Sequence, residues 1–148
     1  MSVDNINSLA EQITPSSFLG KGLAWPPRED PTTGDFKRAE AEESISDCLM
    51  HLISTSLGEI TPMQDFGTRV DELLFGIGTG SFVQAVASSI EDAVDLHEKR
   101  VTITRITPAI STSPVGTKIA TITVRYRIIA TGREIENVIV LPPGQGIT

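Results

Sequence analysis

Lys118-Ile119-Ala120-Thr121-Ile122-Thr123-Val124-Arg125-Tyr126-Arg127-Ile128-Ile129-Ala130 decides the fold class. Ala120, Ile122, Val124, Tyr126, Ile128 and Ala130 fall on one parity, while Thr121, Thr123, Arg125 and Arg127 fall on the other. Ile119 and Ile129, near the ends, are the exceptions. A period of two sustained this long is a strand with one buried and one wetted face. Arginines on the buried side would need buried counter-charges, and residues 99–148 hold only Glu134 and Glu136 as acids. The arginine row therefore belongs to a wet, basic face, which Arg105 and Lys118 are expected to join.

Working outward, Glu134–Leu141 is a final strand stopped by Pro142-Pro143-Gly144. Upstream, Val101-Thr102-Ile103-Thr104-Arg105-Ile106 alternates as well and forms an earlier strand, with Ser111–Gly116 as the loop between. The three strands make a C-terminal β-meander.

Before the meander the period changes to that of helices. From about Phe36 to Ser56, Ile45, Cys48, Leu49, Leu52 and Ile53 recur at three and four, which puts the Cys48 thiol on the core stripe. Glu40, Glu42, Glu43 and Asp47 suit the positive N-terminal half of that helix, and Gly58 is its stop. Thr68 and Asp71 have capping-box spacing and start a short helix through Phe75. Ser81 caps a third, over roughly 82–96, with Phe82, Val83, Val86, Ala87, Ile90, Ala93 and Val94 on one side. Phe18 to Trp25 is a short extended stretch closed by Pro26-Pro27, and Trp25 sits at the core edge or anchors an interface. Residues 1–17, polar and without sustained period, read as a flexible arm. The prediction is an α+β fold over 18–148, three helices packed on one face of a small antiparallel sheet.

Composition narrows function. At 148 residues with 39% hydrophobic content, the chain is one ordinary domain able to bury a core. The net charge of −7 argues against a nucleic-acid binder, and no apolar run is long enough for membrane insertion or shaped like a signal peptide. Charge is uneven: residues 1–98 carry −12 and residues 99–148 carry +5. A single cysteine excludes an internal disulfide and cysteine-based zinc sites, and two histidines leave little for other metals, so no metal or cofactor is expected. The glycine run 76–80 follows a helix and lacks the Gly-Lys-Ser/Thr ending of a phosphate loop, so it reads as a hinge. Glu59 and Asp65 are the best pair for glycoside hydrolysis, but Phe66 is the only aromatic near them. His51 and His97 lack nucleophile-elbow context, so no catalytic residue is assigned.

Glu98-Lys99-Arg100 lies where helix gives way to sheet. A carboxylate and a guanidinium two residues apart can make charge-assisted bonds to a partner, or pair with each other.

Phe18-Leu19-Gly20-Lys21-Gly22, Pro26-Pro27, Thr33-Gly34, Leu57-Gly58-Glu59 and above all Met63-Gln64-Asp65-Phe66-Gly67-Thr68-Arg69-Val70-Asp71-Glu72-Leu73-Leu74-Phe75 form an ordered set. From Phe18 to Tyr126 the chain resembles the gene-25-like baseplate wedge family of contractile-tailed phages and related injection machines. That family carries Glu-Pro-Arg at the entry to its sheet, where this chain has Glu98-Lys99-Arg100: both charges stay and the rigid proline goes. The resemblance implies that these residues dock on the wedge core. It implies a non-enzymatic structural component of the virion tail baseplate, assembled in the host cytoplasm. Six copies would ring the tube, with wedge proteins, the sheath protein and the tail tube or hub as partners. The first sheath disc would add strands to the meander, and Arg125, Arg127, Arg105 and Lys118 would meet the sheath. The alternatives are a peptidoglycan-degrading, lysozyme-like hydrolase and a soluble regulatory adaptor.

Overall fold

Helix-period residues form helices and two-period residues form strands across the computed structural model, which describes residues 19–75, 81–116 and 118–141. The arm 1–17 and the glycine run 76–80 lie outside the described residues. A two-stranded ribbon comes first, β1 (Lys21–Leu23) paired antiparallel with β2 (Arg38–Glu40). Helices α1 (Ala41–Ser54), α2 (Val70–Phe75) and α3 (Ser81–His97) follow. The chain then enters a meander of β3 (Val101–Thr112), β4 (Lys118–Ile128) and β5 (Glu134–Leu141), in the order β3-β4-β5. This is the expected α+β architecture.

The core lies between the helices and the inner sheet face. Ile45, Leu49, Leu52 and Ile53 of α1 and Val86, Ile90 and Val94 of α3 pack with Ile122, Val124, Tyr126 and Ile128 of β4. Helix α1 packs toward the ribbon and β5, and α3 toward α2 and β3. Tyr126 is fully buried, and its hydroxyl accepts a bond from Asn137 Nδ2 at 3.3 Å, which also donates to Ser46 Oγ at 2.7 Å. A buried hydroxyl without such a partner would cost about 1–3 kcal/mol. Burial pushes the Tyr126 pKa up.

Several sequence expectations are corrected. The first helix starts at Ala41 rather than Phe36, because Arg38–Glu40 pairs with β1. It ends at Ser54 with Thr55 extended, so Gly58 belongs to the following loop and not to the helix stop. Cys48 is exposed, not in the core, and Val83 on α3 is exposed as well. Thr68 and Asp71 form no capping box: the Thr68 hydroxyl donates to the Ile53 carbonyl at 3.1 Å, and Asp71 accepts from the Ser56 hydroxyl. Strand β4 stops at Ile128, leaving Ala130 exposed in the turn. Strand β3 runs on to Thr112, through Pro108, so the loop starts two residues later than Ser111.

That longer strand contains a bulge. Ile103 stands opposite Tyr126, yet Arg105 stands opposite Arg125, so Thr104 is an extra residue. The bulge reverses the strand's phase, carrying Arg105 to the outer face and Ile106 to the inner one.

Candidate functional site

The junction from α3 to β3 is built around one ion pair. Glu98 is 5% exposed, and Arg100 grips it with Nε to Oε1 at 2.7 Å and Nη2 to Oε2 at 2.5 Å. The third nitrogen, Nη1, donates to the Leu19 carbonyl at 2.6 Å and so ties the ribbon's approach to the sheet entry. The Glu98 carboxylate pushes the Arg100 pKa further up. Of the two arrangements open to these charges, the chain adopts the internal pair. Lys99 is exposed, its ammonium donating to the Asp95 carbonyl at the helix end.

Beside this junction lies a cavity of about 360 Å³ lined by Cys48, His51, Phe66, His97, Lys99 and Arg100. Three of its lining rings, His51, Phe66 and His97, continue with Trp25 into an aromatic series. Trp25 stacks on His51 with ring centroids 3.9 Å apart, His51 lies 5.1 Å from Phe66, and Phe66 lies 5.2 Å from His97. His97 Nε2 is 2.8 Å from the Asp65 carbonyl, which only accepts, so Nε2 carries the proton. The Trp25 backbone N–H donates to the Asp47 carboxylate at 3.0 Å. Four segments are thus joined through side chains with no common spacing.

The stack has a pH consequence. Burial lowers the His51 pKa from 6.5, against an opposing pull from the Glu59 carboxylate. Below that ordinary value the unfolded chain binds the proton more readily than the folded one. Stability is therefore fullest above pH 6.5 and declines as pH falls through the lower, folded value. His51→Phe keeps a ring on Trp25 and removes the titration. Between about pH 7.5 and 5.5 the melting temperature of the natural chain should fall more steeply than that of His51→Phe. Equal slopes would refute this contribution.

The sheet's outer face is open, and its charges are arranged differently from expectation. Arg125 Nη2 bonds Glu136 at 2.6 Å and Arg127 Nη2 bonds Glu134 at 2.7 Å, each pair directly across the β4–β5 register. The acids sit on the same wet face, so the face is paired rather than uniformly basic. Arg105 does join the row, opposite Arg125. Lys118, at the start of β4, stands opposite Thr112 in the register. Beyond the ion pairs the face turns to Thr121, Thr123, Val138 and Val140.

The hydrolase pair is not assembled into anything comparable. Glu59 and Asp65 are exposed, and the Glu59 carboxylate accepts the Ser56 N–H at 3.0 Å. Among the described residues no group of three His, Cys, Asp or Glu side chains gathers to hold a metal.

A helical layer covers one sheet face, and among the described residues no strand pairs with the far side of β3 or of β5. The sequence model of the family described as "Baseplate wedge protein gp25" matches residues 39–133. The fold is shared with a Geobacter sulfurreducens protein provisionally named a tail lysozyme: TM-score 0.63, 20% identity, covering 73% of this chain and 96% of that one. It is shared too with a chain of the anti-feeding prophage baseplate, solved with sixfold symmetrisation: TM-score 0.60, 19% identity, covering 90% and 93% respectively. No curated protein matches the chain. The chain belongs to the gp25 baseplate wedge family, and so to the components of contractile-tail baseplates.

Proposed function

We propose that this baseplate component is a non-enzymatic sheath initiator, receiving strands of the first sheath ring at the edge of its meander. The observation that carries the reading is the contrast between the two outer strands. On β3, the bulge at Thr104 and the missing N–H of Pro108 both discourage an added strand. On β5, eight residues run in unbroken register with β4, and among the described residues nothing pairs with its far side. Val138 and Val140, exposed on its outer face, give an incoming strand apolar cross-strand neighbours. Arg125, Arg127 and Arg105, with Glu134 and Glu136, select the partner and its register.

The Glu98-Lys99-Arg100 junction serves the wedge side. Its internal pair fixes the shape of the surface, and Lys99 with the rim of the aromatic cavity meets the wedge core. Wedge proteins, sheath, and tail tube or hub are the partners, with six copies per tail in a particle assembled in the host cytoplasm.

Val138→Lys with Val140→Lys puts two charges on the β5 edge without touching the core. The double variant should fold normally by circular dichroism and enter baseplates. It should start sheaths less often by more than about tenfold, counted by electron microscopy. Normal sheath polymerisation would refute strand addition at β5.

A hydrolase reading has one observation in its favour, the name carried by the Geobacter relative. Turnover of purified cell wall that disappears in Glu59→Gln would establish it.

A further inference from the structure

Two surfaces not used above match each other. The first is a groove of about 780 Å³ between the 57–69 loop, α2 and α3. Leu57, Leu73 and Leu96 line it, with Leu96 55% exposed, and Asp65, Glu72 and Asp92 stand around them. Arg69 is the one basic residue in the lining. The surrounding sequence, residues 57–98, holds eight acids against that single base.

The second surface is the outward face of the β1–β2 ribbon. Ala39 is buried, and a Cβ on Gly22 would meet Ser44 Oγ at 3.0 Å, so these two face α1. The alternating positions Lys21, Leu23, Arg38 and Glu40 then face out. Leu23 is 53% exposed and the neighbouring Phe36 66% exposed. Lys21 pairs with Glu40 at 2.7 Å, while Arg38 makes no ion pair among the described residues. Four of the five bases in residues 1–98 lie between Lys21 and Arg38. Exposed leucines scattered singly need no explanation. Here two apolar side chains sit beside a free guanidinium, and elsewhere on the same chain an apolar groove is ringed by carboxylates.

We propose that the ribbon of one copy docks head to tail in the groove of a second copy, Phe36 and Leu23 against Leu57 and Leu96, with Arg38 reaching Asp65 or Asp92. Ribbon and groove share no residue: the ribbon packs on α1, and the groove is lined by the 57–69 loop, α2 and α3. Docking through one therefore leaves the other free, and the contact is heterologous: repeated, it closes a ring or extends a filament. The proposal concerns contact between copies and does not depend on how the sheath starts.

Two full-length variants test it, Phe36→Asp for the ribbon and Leu96→Arg for the groove. Both positions are exposed, and circular dichroism with Trp25 fluorescence checks that each variant is folded. In sedimentation at low salt the natural chain should form species beyond the dimer as concentration rises, and should lose them in high salt. Each variant alone should associate more weakly by more than about tenfold. Mixed, the two should form a one-to-one dimer and nothing larger, because the intact ribbon of Leu96→Arg enters the intact groove of Phe36→Asp. A monomeric natural chain, association that stops at a dimer, variants that still assemble, or a mixture that forms nothing would each overturn the proposal.

Discussion

Replacing Arg100 with alanine should destabilise the isolated chain by about 3 kcal/mol, because it leaves a buried carboxylate with no cation. Glu98 loses both arms of the guanidinium fork, and the Leu19 carbonyl loses its donor. The Glu98 Oε1 contact from the Arg100 backbone N–H, at 3.2 Å, is too little to replace them. The ribbon should loosen before the rest unfolds, since the Arg100–Leu19 bond ties it to the sheet entry. Denaturant unfolding measures the loss, and limited proteolysis between Leu19 and Glu40 measures the loosening. Glu98→Leu with Arg100→Met removes both charges and should recover most of the stability. If Arg100→Ala matches the natural chain in both measurements, the pair has no structural role. Baseplate incorporation must accordingly be compared between the single and double variants, so that lost docking is not confused with lost fold.

Gly67→Ala should be more damaging than any other glycine-to-alanine change among the described residues. Its φ of +117° is a conformation that side chains avoid, and an added Cβ would lie 2.7 Å from the Thr55 carbonyl oxygen. It would also meet the Ser56 carbonyl carbon and oxygen, both at 2.9 Å. These are backbone atoms held by the Thr68 N–H to Thr55 and Leu57 N–H to Thr68 bonds, each 2.9 Å, so nothing near can swing aside. A cost of about 3 kcal/mol or more follows from strain and overpacking together. Gly58→Ala is the control: φ is +84° there, but the space is open, and about 1 kcal/mol is expected. Similar unfolding midpoints for the two variants would mean that the 55–68 loop yields easily.

The meander was readable because alternation is a local property of the chain. Ala120 to Ile128 are buried at every second residue as the pattern required, and Glu134–Leu141 has the expected bounds. The bulge left a trace that went unused: the apolar parity changes between Val101-Ile103 and Ile106-Ile110. Of the ribbon, β1 falls within the extended stretch read over Phe18 to Trp25, but β2 left no trace, since three residues are too short to show a period and the pairing is made across a long turn. Cys48 failed for a related reason. A helix's apolar stripe shows which side is inward, while the exposure at its margin depends on what other segments cover it. Of the site, the charged junction was visible as a motif and its internal pairing was one of two options. The Trp25–His51–Phe66–His97 series was invisible, because its members come from four segments that meet only in the folded chain.

The β3–β4 hairpin also sets how the chain bears load. Twelve residues of β3 extend about 40 Å, whereas the seventeen of α3 rise about 25 Å. Towards the far end of this tongue the helical backing thins out: Ile110, on the inner face, is still partly exposed. Pulled along the strands, this tongue shares tension among all the ladder bonds at once, since they lie across the direction of force. Pulled sideways from its tip, it opens one bond pair after another, as a zip does. The same hairpin is thus stiff against axial traction and weak against peeling, and the direction of an applied force decides whether it holds.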